Sequence, residues 1–222
     1  MEQAALVLAS LFVDALQFIP DHAALLLHKA AQTAELAFTA LGIAILIAMP
    51  IGLWLGHRHR GLLLALGASS VGRALPSIAL IGIFIAWLGV GFWNNTLALV
   101  ILGIPPILTN AYFAVEGIDR DVVEAARGMG LSERQILTGV ELPLGLPLLL
   151  AGVRIAAVFV IATATLAGIA GGGGLGEIMN VTVYNESGVL AAALCVAAMA
   201  LATAFLLSLV QLAASRRMAP RA

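Results

Sequence analysis

Apolar residues in this chain run in long blocks rather than in alternation. Five blocks, at 30–55, 61–89, 95–115, 143–170 and 188–213, carry few charges between their ends, and each has the roughly 20 residues that a helix needs to cross a bilayer. Backbone amides and carbonyls find no water there, so each block is predicted to be helical, with breaks only where protein or an aqueous cavity covers them. Pro76 in the second block and Pro105-Pro106 in the third predict kinks. The stretch before the first block is interrupted by Asp14 and stopped by Pro20, and it lacks the basic start of a signal peptide. Residues 1–29 therefore read as an interfacial helix, with a sixth span as the alternative.

Composition agrees with the blocks. The chain is 62% hydrophobic and 10% charged, against about 45–50% and about 25% for a soluble domain, so the bilayer is the solvent for much of it. A net charge of −1 and the absence of a basic run leave nothing to attract nucleic acid. Cys195 stands alone in an apolar stretch and reads as a small buried hydrophobe, with no disulfide framework and no metal constellation. His57-Arg58-His59-Arg60 reads as an anchoring turn rather than a metal site. Trp54, Trp87 and Trp93 fall near block ends, as interfacial tryptophans do. They are too scattered to cage a quaternary ammonium group, which places a high-affinity solute pocket on some other chain. With five spans, Arg58, Arg60, Arg120, Arg127, Arg134, Arg216, Arg217 and Arg221 share one side and Lys29 the other. The positive-inside rule then puts the arginines and the C-terminal tail, 214–222, in the cytoplasm and the N-terminus outside.

One segment breaks the apolar pattern. Residues 119–143, DRDVVEAARGMGLSERQILTGVELP, carry Asp119, Arg120, Asp121, Glu124, Arg127, Glu133, Arg134 and Glu141. Asp119 or Asp121 can cap a helix start. Val122, Ala125, Ala126 and Met129 recur at helical spacing as one apolar stripe, and Arg120–Glu124 and Glu124–Arg127 stand at ion-pairing distances along a helix. Gly128-Met129-Gly130 predicts a stop. Ser132 with Gln135 predicts a capping box that starts a second short helix, and Pro143 marks the start of the next span. A plain connection between helices takes about 2–8 residues, so this longer, ordered segment reads as a docking knob for a soluble partner. Its alanines permit close approach and its charges set the register.

The same segment resembles a known family. Glu124, Ala125, Ala126, Gly130, Leu142 and Pro143 fall on the E-A-A, Gly, Leu-Pro pattern of the permease subunits of ATP-binding-cassette importers, with Val140 where that pattern has isoleucine. RALPSIALIGIFIAWLGVG (73–91), IPPILTNAYFAVEGID (104–119) and IATATLAGIAGGGGLG (161–176) look like the osmoprotectant branch, which moves glycine betaine, choline and carnitine; methionine importers are similar in general pattern. The resemblance implies an all-α polytopic subunit with the five core transmembrane helices of the methionine-importer-like type I permease fold, over about 30–213. It implies coupling helices at about 119–142, in which Glu124, Ala125, Ala126, Arg127, Gly128, Gly130, Val140, Leu142 and Pro143 meet the ATPase. The implied partners are two cytoplasmic ATPase subunits, a second permease subunit and an extracytoplasmic binding protein. ATP and Mg belong to the ATPase, with no cofactor and no catalytic residue on this chain. An ion-gradient transporter or channel is the rival from another class, and the lack of a mid-span Asp or Glu counts against it.

The run at Gly171, Gly172, Gly173, Gly174, Gly176 and Glu177 lacks the Lys-Ser/Thr of a phosphate loop. It reads as a tight, irregular turn, and the resemblance implies an outer hairpin that touches the binding protein or helps close an outer gate. Arg73 and Arg154 are charges inside predicted spans. Each costs at least about 2.5–3.5 kcal/mol in lipid unless covered, so each is either a pathway or subunit contact or a paired packing residue. With Pro76, Ser77, Thr163 and Thr165, from the segments that carry the resemblance, they are the pathway or gate candidates.

Overall fold

The computed structural model of the chain describes residues 2–74, 76–179 and 186–218, with side chains except at 2–9, 68–69, 71–74, 169–170 and 217–218. Among these residues every regular element is helical: α1 (Glu2–Asp21), α2 (Ala23–His57), α3 (Leu62–Ala74), α4 (Ser77–Leu88), α5 (Phe92–Glu116), α6 (Arg120–Gly128), α7 (Glu133–Ile136), α8 (Leu142–Ala167), α9 (Leu175–Ile178) and α10 (Glu186–Met218). π-helical segments at Leu137–Glu141 and Gly168–Gly172 flank α8. Four helices among the described residues are long and apolar enough to cross a bilayer: Ala23–His57, Phe92–Glu116, the composite Glu133–Ala167 and Glu186–Arg216. They coincide with four of the five predicted spans.

The second predicted span is different. It is two helices, α3 and α4, and α4 starts after Pro76, which is extended at φ −66 and ψ 114. Proline has no amide proton, clashes with the preceding turn and restricts the residue before it, so the helix stops there rather than kinks. With 12 residues, α4 is about 18 Å long, short of a bilayer's hydrocarbon thickness. By contrast α5 runs unbroken through Pro105 and Pro106, and the Asn110 amide donates to the Pro106 carbonyl at 2.7 Å. At the N-terminus, α1 continues through Pro20 to Asp21, and α2 begins at Ala23 rather than at residue 30. Pro143 stands in the first turn of α8, close to where the sequence put the start of that span, although a π segment leads into it without a break.

The chain packs as two compact units, 1–40 with 76–99 and 158–202, and 41–75 with 100–157 and 203–222. In the second unit, α2 and α8 each come backbone-close to α5 through glycines. A Cβ on Gly52 would lie 2.6 Å from the Ala111 Cβ and 2.7 Å from the Leu108 carbonyl oxygen, and one on Gly56 2.5 Å from the Tyr112 carbonyl oxygen. From α8, a Cβ on Gly152 would meet Asn110 at 2.5 Å, and one on Gly145 would overlap the Ala114 carbonyl. Lipid gives apolar helices no hydrophobic reason to associate, so small residues that allow dense contact take over that role. Replacing Gly52 with Ala is therefore expected to destabilise the protein by about 1–3 kcal/mol, the usual cost of overpacking. Gly42→Ala, whose Cβ would meet nothing within 4 Å, is the control, and thermal unfolding of the solubilised protein is the measurement. In the first unit, Leu26, Leu175, Ile178 and Ala192 are buried together, with Phe18 and the free, half-buried Cys195 against them.

Candidate functional site

The charged segment folds as two short helices with a common core. The Asp119 carboxylate accepts from the Asp121 amide at 3.0 Å and caps α6, which satisfies one of the donors a helix start leaves over. α6 ends at Gly128, and Gly130 takes φ +86 while the Leu131 amide reaches back to the Ala126 carbonyl at 3.3 Å. Only a residue tolerant of the left-handed region closes a helix in this way. The Ser132 amide then donates to Gln135 Oε1 at 2.9 Å, the predicted capping box. Val123, Ala126 and Ile136 are buried together, and Ile118, Leu131 and Val140 pack against them.

That core corrects the predicted stripe. Ala126 faces inward with Val123, whereas Val122, Ala125 and Met129 form an outward apolar stripe, with Met129 74% exposed. Glu124 is exposed beside this stripe. Arg127 is also engaged differently from the prediction: it holds Glu133 through Nε at 2.9 Å and Nη2 at 3.1 Å, a two-pronged contact across the turn. Glu133 keeps the Arg127 guanidinium above its ordinary range, first by hydrogen bonding. A cleft of ≈ 360 Å³ lies alongside, lined by His59, Ile118, Arg120, Val123, Glu124 and Arg127. Gly128 is exposed, Leu142 packs against the buried trio Ala111, Ala114 and Leu149, and Pro143 is half-buried.

Two residues that the sequence named only as a charge of this segment and as part of an anchoring turn pair at its root. Glu141 is 1% exposed, and its Oε2 lies 2.7 Å from Nδ1 of His57, the last residue of α2. Nothing in sequence joins two residues 84 positions apart; the one available signal was a carboxylate placed directly before an apolar Leu-Pro start.

The glycine run is built as a tight irregular turn. Gly168–Gly172 is π-helical, and Gly173 and Gly174 take φ 77 and 75. A Cβ on Gly176 would overlap the Thr165 carbonyl, and the Asn95 amide lies where a Cβ on Gly172 would go. The turn is fastened to α2: Gln32 Oε1 accepts from the Gly174 amide at 3.1 Å, Thr33 Oγ1 accepts from the Leu175 amide at 2.9 Å, and Lys29 pairs with Glu177. Gly171, with φ 86, faces Val90.

The remaining predicted residues are not gathered into one place. Arg154 donates from Nη1 to Ser208 Oγ of α10 at 2.8 Å, which supplies the partner that the sequence left open. Thr163 and Thr165 are buried, and each hydroxyl donates to a carbonyl of its own helix, Phe159 at 2.8 Å and Ala162 at 2.7 Å. Pro76 and Ser77 sit at the break before α4. The side chain of Arg73 and the tail from 219 onward lie outside the described residues. Among the described residues no group of three or more His, Cys, Asp or Glu could hold a metal.

Comparison with known proteins places this architecture. The chain is 34% identical over 192 residues to the carnitine transport permease protein OpuCB of Listeria monocytogenes, covering 86% of this chain and 88% of that protein. It is 30% identical over 206 residues to the choline transport system permease protein OpuBB of Bacillus subtilis (strain 168), covering 92% and 93%. Its fold matches a chain of the MetNI methionine ABC transporter in an inward-facing conformation, with a TM-score of 0.74 at 21% identity over 85% of this chain and 95% of that one. This likeness confirms the all-α, type I importer permease fold. A family model, binding-protein-dependent transport system inner membrane component, matches residues 48–220. The long apolar helices fit a membrane-integral permease, and the chain belongs to the family of inner membrane components of binding-protein-dependent transport systems.

Proposed function

We propose that this chain forms the translocation path for a quaternary ammonium osmoprotectant of the carnitine, choline and glycine betaine class. It works beside a second permease subunit and above two cytoplasmic ATPase subunits, which carry the ATP and Mg. A binding protein delivers the solute on the opposite face, where the N-terminus and the Gly171–Glu177 turn lie. The α6–α7 pair faces the ATPases. ATP-driven closure of those subunits moves it, and the motion opens or shuts the path. An effector shifts a two-state equilibrium only by its differential affinity for the two states, so this surface binds the open and closed ATPases unequally.

The observation that carries the reading is the outward stripe Val122, Ala125 and Met129 with Glu124 beside it, on a helix whose other face is already packed. An exposed apolar stripe bordered by charge suits a groove on a soluble protein. The solute class is supported by the solutes for which the two relatives are named, carnitine and choline. The test is uptake into proteoliposomes that hold the complex assembled with its ATPase and binding protein. Labelled carnitine, choline or glycine betaine is expected to accumulate only with ATP inside the ATPase-accessible compartment. Methionine uptake in their place would reassign the solute, and uptake driven by an ion gradient without the ATPase would overturn the reading.

A further inference from the structure

A carboxylate as deeply covered as Glu141 is destabilising unless a donor or opposite charge meets it. His57 meets it, Nδ1 to Oε2, at 2.7 Å. The other ring nitrogen, Nε2, lies 3.4 Å from Glu133 Oε2, and Glu133 holds Arg127. Arg127, Glu133, His57 and Glu141 thus make a continuous polar chain from α6 to the last turn of α2. A helix C-terminus, with its unpaired carbonyls, suits a cationic or donating imidazole.

The chain path gives this contact its meaning. α5 leads into α6 through residues 117–119, and α7 leads through the π segment into α8. α2 has no such covalent route, because it continues through residues 58–61 into α3. Any displacement of the α6–α7 pair therefore reaches α5 and α8 through the backbone, and reaches α2 by contact, either through the close packing of α5 on Gly52 and Gly56 or directly through this polar chain. A charge-assisted bond away from water is stronger and stiffer than one at the surface. The anchoring Glu141 also sits in a π turn, a geometry that often marks functional positions.

We propose that His57 is a positioning residue that transmits movement of the α6–α7 pair to α2, with Glu141 as its buried anchor and Glu133 as its second contact. This rests on the permease function proposed above. The test measures solute uptake and ATP hydrolysis in the same proteoliposomes that hold the full complex. His57→Ala is expected to lower uptake per ATP about tenfold, the scale of coupling between linked sites. His57→Gln, which keeps a donor, is expected to recover part of it. Because His57→Ala strands Glu141 without its partner, the deciding variant is His57→Leu with Glu141→Met, which removes both polar groups and leaves an apolar pair of the kind that interiors tolerate. That double variant is expected to assemble and hydrolyse ATP while uptake per ATP stays about tenfold down. Uptake per ATP at the unsubstituted level in the double variant would overturn the proposal and leave the pair a packing device. Failure of the double variant to assemble would overturn it too, by making the pair a requirement of folding. Absence of ATP-dependent uptake in the unsubstituted complex would instead strike at the permease function itself.

Discussion

Replacing Gly176 with Ala is expected to cost about 3 kcal/mol of stability or more, the upper end of overpacking penalties. The Cβ would overlap the Thr165 carbonyl and stand 2.9 Å from the Gly168 Cα, so it meets backbone on two sides and no flexible side-chain tip that could yield. Relief would require α9 to move away from α8. That shift would pull the Gly174 and Leu175 amides off Gln32 and Thr33 and would lift Leu175 and Ile178 out of the core they form with Leu26 and Ala192. Thermal unfolding of the purified complex checks this, with Gly67→Ala as the neutral control because its Cβ would meet nothing within 4 Å. A melting curve for Gly176→Ala that superimposes on that of the parent protein would show that the close approach is dispensable.

Glu124→Arg is expected to leave the folded protein in the membrane and to reduce solute uptake at least about tenfold, consistent with ordinary coupling factors. Glu124 is exposed, and substitutions at such positions usually shift stability by no more than about 0.5 kcal/mol. What changes is the charge of the proposed docking surface. The new guanidinium would join Arg120, Arg127 and His59 around the same cleft, which would lose the one carboxylate that lines it and become a cationic patch. A partner groove complementary to the original pattern then faces like charge, which costs specificity and affinity together. Co-purification of the ATPase with the variant, alongside uptake, separates lost docking from lost path. Full uptake with the variant would remove Glu124 from the coupling surface.

Much of this molecule can be read from its sequence, and what escapes has a common cause. Blocks of about 20 apolar residues are unambiguous, because lipid leaves the backbone no choice but a helix. The ends of α6 and the start of α7 were legible for a similar reason: Asp119, Gly130, Ser132 and Gln135 act within a few residues of themselves, and local hydrogen-bond chemistry decides them. The break at Pro76 was legible as a disturbance but not as a full interruption. The same residue type gives both outcomes here: α5 runs on through Pro105-Pro106, whereas Pro76 is extended and α4 starts after it. Pairings over long range were the main loss. Arg154 with Ser208, Lys29 with Glu177 and His57 with Glu141 each depend on which helices become neighbours, which no local pattern states. The glycines at 52 and 56 carried a signal that went unread, since four-residue spacing of small residues in an apolar helix announces a close helix contact.

The π turn at Leu137–Glu141 makes the segment a gauge of angular phase. Such a turn closes its hydrogen bonds one residue further along than an α turn, so it takes up one residue more than ordinary winding would. Each residue of an α-helix advances the azimuth by about 100°. Side-chain exchange within 137–141 leaves that azimuth untouched, and so does loss of a single position with relaxation to α winding, whereas α winding with all five residues in place would swing the Glu133 side of the segment about a quarter-turn relative to the membrane helix that follows. The π turn between Gly130 and Pro143 is thus a dial setting, and it fixes which way the stripe of Val122, Ala125 and Met129 points.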